Sequence, residues 1–365
     1  MNIILIILVF GVIIFFHELG HFIVAKINHI TVKEFSMGFG PKLFQFHKKE
    51  TQYTLRLIPL GGYCMMLSED DEENENDENS FEKKSIWARM AVVLAGPAMN
   101  FVIAFLFSMV IIHFCGSDPA IIGAVYNKDN IEKYQIENAE EYFNGVYPAE
   151  EAGISDGDQV LKIEGSTVKN FRELQIYLQI YGDGSPIDLT LEKEDGTVYD
   201  TTVHPAKTPD GYKIGIMSVG YQLPKNFGEL CKYSAYETRY WVKATFLSLK
   251  LIVTRQVSSD EVSGPVGVAK NMNDTFNEAA KSSVLDLFLN WTNYIVLLSA
   301  NLGVMNLLPI PGLDGGRFIF LLIEAVTRKK VPKDKENIVT LIGFVLVMLL
   351  MVVILFNDIK NVFFH

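Results

Sequence analysis

The chain has 365 residues, 49% of them apolar and 21% charged, with a mean hydropathy of +0.20. That is too apolar for an ordinary cytosolic enzyme and too polar for a chain made of membrane spans alone. The 32 basic and 43 acidic side chains leave a formal charge of −11, which argues against a nucleic-acid binder needing a basic footprint. The 3 cysteines, at 64, 115 and 231, form neither a disulfide framework nor a C-x-x-C metal site.

In chain order, residues 3–25 are apolar except for His17, Glu18 and His21, and about 20 such residues suffice to cross a hydrocarbon core of roughly 30 Å. Span one is therefore placed at 1–25. It lacks the basic n-region and A-x-A site of a cleavable signal peptide. A loop follows over 26–87. Within it, 51–67 (TQYTLRLIPLGGYCMML) is rich in β-formers, with Pro59 and Gly61-Gly62 as turn punctuation, which predicts an apolar hairpin at the membrane face. The run 69–78 (EDDEENENDE) holds 8 acids and no apolar residue, so a disordered acidic segment is expected over 69–82. Without those 8 charges the remaining chain carries only −3.

Span two is expected over 88–115. An α+β domain is expected over 116–207, where 145–180 reads turn, strand, turn, helix and two strand-like runs follow at 187–193 and 198–204. Residues 208–286 read as an amphipathic helix, at 227–255, plus linker. The apolar stretch 287–325 is interrupted by Asn306, Pro309, Pro311, Asp314 and Arg317. A straight helix from 287 to 314 would already be about 40 Å long, so this third span must break or tilt, with the prolines as the place. A basic loop at 326–337 and span four at 338–357 close the chain. Lys and Arg near span ends favour the cytoplasm. Lys26 and Lys33, then Lys83, Lys84 and Arg89, then the cluster from Arg328 to Lys335 put both termini and the 116–286 region outside.

The chemistry is concentrated in His17-Glu18-Leu19-Gly20-His21. In H-E-x-x-H the two imidazoles stand one helical turn apart on one face and can reach one Zn²⁺. The Glu between them can take a proton from metal-bound water. Ionisable groups inside a span are by default functional or paired. Catalytic zinc takes a third protein ligand, and Asp314 is the only acid between 287 and 323. The alternative for Asp314 is an ion pair with Arg317, three residues on. Asn306 could hydrogen-bond either a substrate backbone or the carbonyls freed at the helix break.

These residues carry a resemblance. F-H-E-L-G-H-F, the later N-L-L-P-I-P-G-L-D-G-G, S-M-G-F-G-P from Ser36, A-G-P-A-M-N-F from Ala95 and S-G-P-V-G-V-A from Ser263 resemble the site-2 protease family of intramembrane zinc metalloproteases, in its RseP-like bacterial branch. The run P-A-E-E-A-G-I-S-D-G-D-Q-V-L-K-I-E-G-S-T-V resembles a PDZ domain, covering about 116–205. The resemblance implies an α-helical polytopic membrane protein of about four transmembrane helices, with an extracytoplasmic α+β PDZ-like domain and a small β-hairpin membrane loop. It implies one Zn²⁺ held by His17, His21 and Asp314, with Glu18 as catalytic base. The family's substrate-pairing loop maps to about 53–66 and its G-F-G segment to Gly38–Pro41, so Gly38, Gly40, Gly61 and Gly62 are expected near substrate. The implied partners are single-span membrane proteins in the lipid bilayer, such as pre-cleaved anti-sigma factors or remnant signal peptides. A peptide added to the PDZ-like domain is expected near a carboxylate-cradling loop at 121–125, the alternative being a steric gate or spacer. Two other readings are a non-proteolytic membrane adaptor using the PDZ-like domain, and a metal transporter.

Overall fold

The computed structural model describes residues 2–67, 77–134, 143, 145–254 and 264–364. Most of the acidic run 69–78 lies outside the described residues. The chain divides into two compact units, Met1–Ser108 with Thr245–His365, and Met109–Ala244. The long helices are α1 (Asn2–Ile27), α2 (Ile86–Cys115), α3 (Phe171–Ile180), α4 (Phe227–Val253), α5 (Pro265–Ser282), α6 (Val284–Leu307), α7 (Asp314–Thr327) and α8 (Lys333–Phe364). The strands are β1 (Val32–Lys48), β2 (Thr51–Met66), β3 (Ile122–Val125), β4 (Gln159–Ile163), β5 (Ser166–Thr167), β6 (Ile187–Glu192), β7 (Val198–Val203), β8 (Ala206–Thr208), β9 (Gly211–Lys213) and β10 (Ile216–Ser218).

Among the described residues, four helical segments are long and apolar enough to cross a membrane: Asn2–Ile27, Ile86–Cys115, Val284–Leu307 and Asp334–Lys360. A helix satisfies its backbone internally, as hydrocarbon requires. The third apolar stretch breaks where its prolines dictate, since Pro can neither donate to the ladder nor fit an interior turn. α6 stops at Leu307, and α7 starts at Asp314. Val9 and Ile13 of α1 bury against Ile103 of α2, Met272 and Phe276 of α5 and Ile295 of α6, which fixes the rotation of α1 about its axis. At the other end of α2, Arg89 forms a two-armed ion pair with Glu324 of α7, at 2.6 and 3.1 Å.

The hairpin differs from the sequence expectation. Its turn is Lys49-Glu50, with Lys49 at φ +55°, and Pro59, Gly61 and Gly62 lie inside β2. The partner of 51–66 is therefore β1, antiparallel, from Val32↔Met66 to Lys48↔Thr51. The strands also fold back, because Glu34, Phe35, Ser36 and Met37 pair both with Met65, Cys64, Tyr63 and Gly62 and with Gln52, Tyr53, Thr54 and Leu55. The result is a small amphipathic sheet. Phe35 and Tyr53 pack on Phe22 of α1. Arg56 cross-links other strand positions through Ser36 (2.9 Å), Glu34 (3.0 Å), Tyr63 (2.6 Å) and the Gly40 carbonyl (3.1 Å).

The supposed linker within 208–286 holds a second helix. α5 buries Met272 and Phe276 completely, and the buried Asp358 of α8 accepts from the Gly264 and Gly267 amides at its start (3.1 and 2.7 Å). A carboxylate there meets amides that have no partner within the helix and the positive end of the helix dipole.

The second unit is built on a four-stranded sheet of order β5-β4-β6-β7. Ile187, Leu189 and Leu191 alternate inward along β6 and bury, as do Val160, Ile163, Leu174 and Val203. Asn170 caps α3 by accepting from the Glu173 amide (2.8 Å). The domain runs past the expected end at 207, since β10 pairs with β3 and Ser117 bridges Gln222. The region near 121–125, expected as a carboxylate-cradling loop, is instead strand over Ile122–Val125, paired along one edge and at Ile122 on the other. One edge meets β10, and the other meets Gly157 and Asp158 through Ile122 (2.8 and 2.9 Å).

Candidate active site

α1 places His17 and His21 one turn apart, both buried, with Glu18 between them half-buried. The break at 308–313 turns the chain so that the first residue of α7 meets them. Asp314 Oδ2 lies 3.2 Å from His17 Nε2 and 3.4 Å from His21 Nε2, and the two Nε2 atoms are 3.3 Å apart. No ion pair between Asp314 and Arg317 forms among the described residues; Asp314 faces the two histidines instead.

This triangle can be tested against a metal. Ligands about 2.0–2.1 Å from a tetrahedral zinc lie roughly 3.3 Å from one another, and the three observed edges of 3.2, 3.3 and 3.4 Å match that spacing. The donor set, two imidazoles and one carboxylate, leaves one tetrahedral position open, as in a catalytic rather than a structural site.

The groups behind the ligands fit as well. Zinc binding through Nε2 requires a proton on Nδ1, and each Nδ1 needs an acceptor. His21 Nδ1 is 2.8 Å from the Val92 carbonyl, to which it donates. His17 Nδ1 is 3.1 Å from Nδ2 of buried Asn100, whose Oδ1 has no hydrogen-bond partner among the described residues. With the two ends of that amide exchanged, which scarcely alters its shape, Oδ1 accepts from Nδ1–H and the orphaned atom is satisfied. Gly96 lets α2 approach this closely. A Cβ there would stand 2.3 Å from His21 Nε2 and 2.8 Å from His17 Cε1.

Other expected site residues divide. Asn306, near the end of α6, brings its amide nitrogen 3.4 Å from His17 Nε2 and so faces the cluster of His17, His21 and Asp314. Gly62 packs β2 against the face of α1 that carries Glu18, since a Cβ there would lie 3.2 Å from Glu18 Cγ. The surroundings of Gly38, Gly40 and Gly61 are within the hairpin itself, at Ile58, Arg56 and Phe39. They shape the sheet and are not brought to the histidines. Asn100, Gly96 and the Val92 carbonyl escaped the sequence reading of the site. An Asn in the stretch 90–115, which has no acid, Lys or Arg, was the available signal for the first.

The sequence model of Peptidase family M50 matches residues 5–350. A Clostridium acetobutylicum protein with a provisional zinc-metalloprotease name is 38% identical over 98% of this chain and 97% of its own. The zinc metalloprotease RasP of Geobacillus kaustophilus is 32% identical over 99% and 98% of the two chains, and the regulator of sigma-W protease RasP of Bacillus subtilis 29% over 98% of each. Together with the four membrane-length helices, these matches show that the chain belongs to Peptidase family M50, the site-2 proteases, and is a multi-pass membrane zinc metalloprotease.

Proposed function

We propose that the enzyme hydrolyses peptide bonds within or near the transmembrane segments of single-span membrane proteins, with His17, His21 and Asp314 as zinc ligands and Glu18 as general base. The observation that carries this reading is the 3.2–3.4 Å triangle of ligand atoms with Glu18 on the same helix. The zinc, when bound, supplies Lewis acidity that polarises a carbonyl and acidifies water. Glu18 takes the proton from the attacking water and returns it to the leaving amine. Val92 and Asn100 keep the two imidazoles in the tautomer that binds metal. Asn306 is placed to donate to a substrate carbonyl near the same point.

A substrate helix hides its amides in its own hydrogen bonds, so it must unwind before cleavage. The β2 segment 62–66 runs beside Glu18, and pairing of an extended substrate along it would replace the bonds lost. The distribution of Lys and Arg supports both termini and the second unit lying outside the cytoplasm. The order of strands and helix over 148–203 supports a PDZ-like unit. The pairing of β3 with β10, together with the Ile122 bonds to Gly157 and Asp158, favours a gate or spacer over strand addition at 121–125. Pre-cleaved anti-sigma factors and remnant signal peptides are the substrate classes that fit a site buried among spans.

The test is co-expression with single-span candidates, comparing wild type with Glu18→Gln and Asp314→Asn. Loss of cleavage in both variants ties the two distant segments to one site. Cleavage surviving either substitution overturns the assignment.

A further inference from the structure

α8 carries many exposed apolar side chains, Leu341, Phe344, Leu349 and Phe356 among them. One side of this helix is not convex. It closes with the segment before Asp314 into a groove of about 320 Å³, walled by Ile310 and Pro311 on one side and by Ile342, Leu346, Val347 and Leu350 on the other, with Val339 at one end. From Val339 to Leu350 the helix rises about 16 Å, close to the depth of one hydrocarbon leaflet, roughly 15 Å. The lining is aliphatic throughout, so the groove offers a straight hydrocarbon chain contact along its whole length and offers a polar ligand nothing.

The charge at the Val339 end is equally one-sided. Lys335 is one helical turn before Val339, hence on the same stripe as the groove, and it is exposed together with Arg328, Lys329 and Lys330 in the connection from α7. Lys330 also reaches the Glu82 carbonyl at 3.3 Å. Among the described residues the acids nearby include Glu82, Asp334 and Glu336, while Glu324 is engaged by Arg89. Counting 328–336, five basic residues stand against two acids. A cationic rim opening on a leaflet-deep apolar groove is complementary to a single class of molecule, an anionic phospholipid with its headgroup on the rim and one acyl chain in the groove.

We infer that the groove between α8 and residues 310–311 is a binding site for an anionic phospholipid. The inference does not depend on the catalytic reading. Its structural consequence is that an acyl chain packs directly on Ile310 and Pro311 and so backs the short segment that presents Asp314.

The experiment uses the full chain in nanodiscs of phosphatidylcholine with a minority of phosphatidylglycerol. Each lipid is supplied in turn as a photoreactive analogue bearing a diazirine on the acyl chain, and crosslinks are mapped by peptide mass spectrometry. The phosphatidylglycerol probe is expected to label 339–350 and Ile310 about tenfold more than the phosphatidylcholine probe, while lipid-facing positions elsewhere on α8 show no preference. Val347→Trp, which fills the groove, should abolish the preferred labelling and leave the rest. Lys329→Gln/Lys330→Gln/Lys335→Gln should bring the preference close to one, since these side chains supply the charge that selects an anionic headgroup. Zinc content equal to wild type shows that both variants are folded. Equal labelling by the two probes in wild type overturns the inference, as does a preference that survives the triple substitution. Displacement of both probes alike by a single-span peptide would assign the groove to a protein helix instead and equally overturn it.

Discussion

Gly96→Ala is the smallest change that should empty the metal site. The added methyl carbon would lie 2.3 Å from His21 Nε2, 2.6 Å from His21 Cε1 and 2.8 Å from His17 Cε1, whereas carbon contacts settle at about 3.5–4.0 Å. A relief of about 1 Å is therefore needed. If α2 retreats by that amount, the 2.8 Å bond from His21 to the Val92 carbonyl lengthens to roughly 4 Å and is no longer a hydrogen bond, and Asn100 withdraws with it. If the imidazoles turn instead, the 3.2–3.4 Å triangle opens. Loss of groups behind a ligand typically lowers metal affinity 10–100-fold, and both histidines are affected, so a loss of about 100-fold or more is expected. The assay is competition for zinc against a chromophoric chelator in detergent. Gly11→Ala in α1 is the control, because its methyl would meet nothing within 4 Å. Affinity in Gly96→Ala within about threefold of wild type would refute the close-packing argument.

Asn100→Ala should lower zinc affinity about 10–100-fold, whereas Asn100→Asp, which keeps an acceptor facing His17 Nδ1, should retain most of it; the same chelator competition distinguishes them. Glu324→Leu leaves the buried Arg89 guanidinium unpaired and should cost about 3 kcal/mol in detergent unfolding, with Arg89→Met/Glu324→Leu recovering most of the loss. Tyr199 donates to buried Asp158 at 2.6 Å, and burial together with that bond and the carboxylate charge raises the phenol above the usual tyrosine range. Its folded pKa exceeds the unfolded one, so its contribution is complete below pH about 10 and declines as pH rises toward the raised value. Tyr199→Phe should accordingly cost about 1.5–3 kcal/mol at neutral pH, and the gap to wild type should narrow in alkaline unfolding measurements.

What the sequence revealed of the site follows from how local each relation is. His17 and His21 are related by one helical turn, so their spacing alone places them together. Asp314 was reachable because an acid in an apolar stretch demands a partner and the prolines before it demand a break. Asn100 acts across a helix interface set by Gly96, and no periodicity within span two expresses that. The hairpin misled for a similar reason. Pro59 and Gly61-Gly62 carry turn chemistry, yet Gly62 is needed where β2 passes Glu18, and the actual turn uses Lys49, a residue with no turn signature, in the left-handed region. α5 was invisible because its apolar positions are few and its N-terminal acid, Asp358, comes from more than 90 residues later.

The most direct test of one zinc centre served by Glu18 is to measure metal content and cleavage of a single-span substrate in the same purified preparation of Glu18→Gln. One zinc per chain should remain, because Glu18 is not among the three proposed ligands, while cleavage should fall by about 10²–10⁴-fold, the usual contribution of a general base. Cleavage at the wild-type rate with zinc retained would contradict the role given to Glu18, and loss of the zinc would contradict the ligand set.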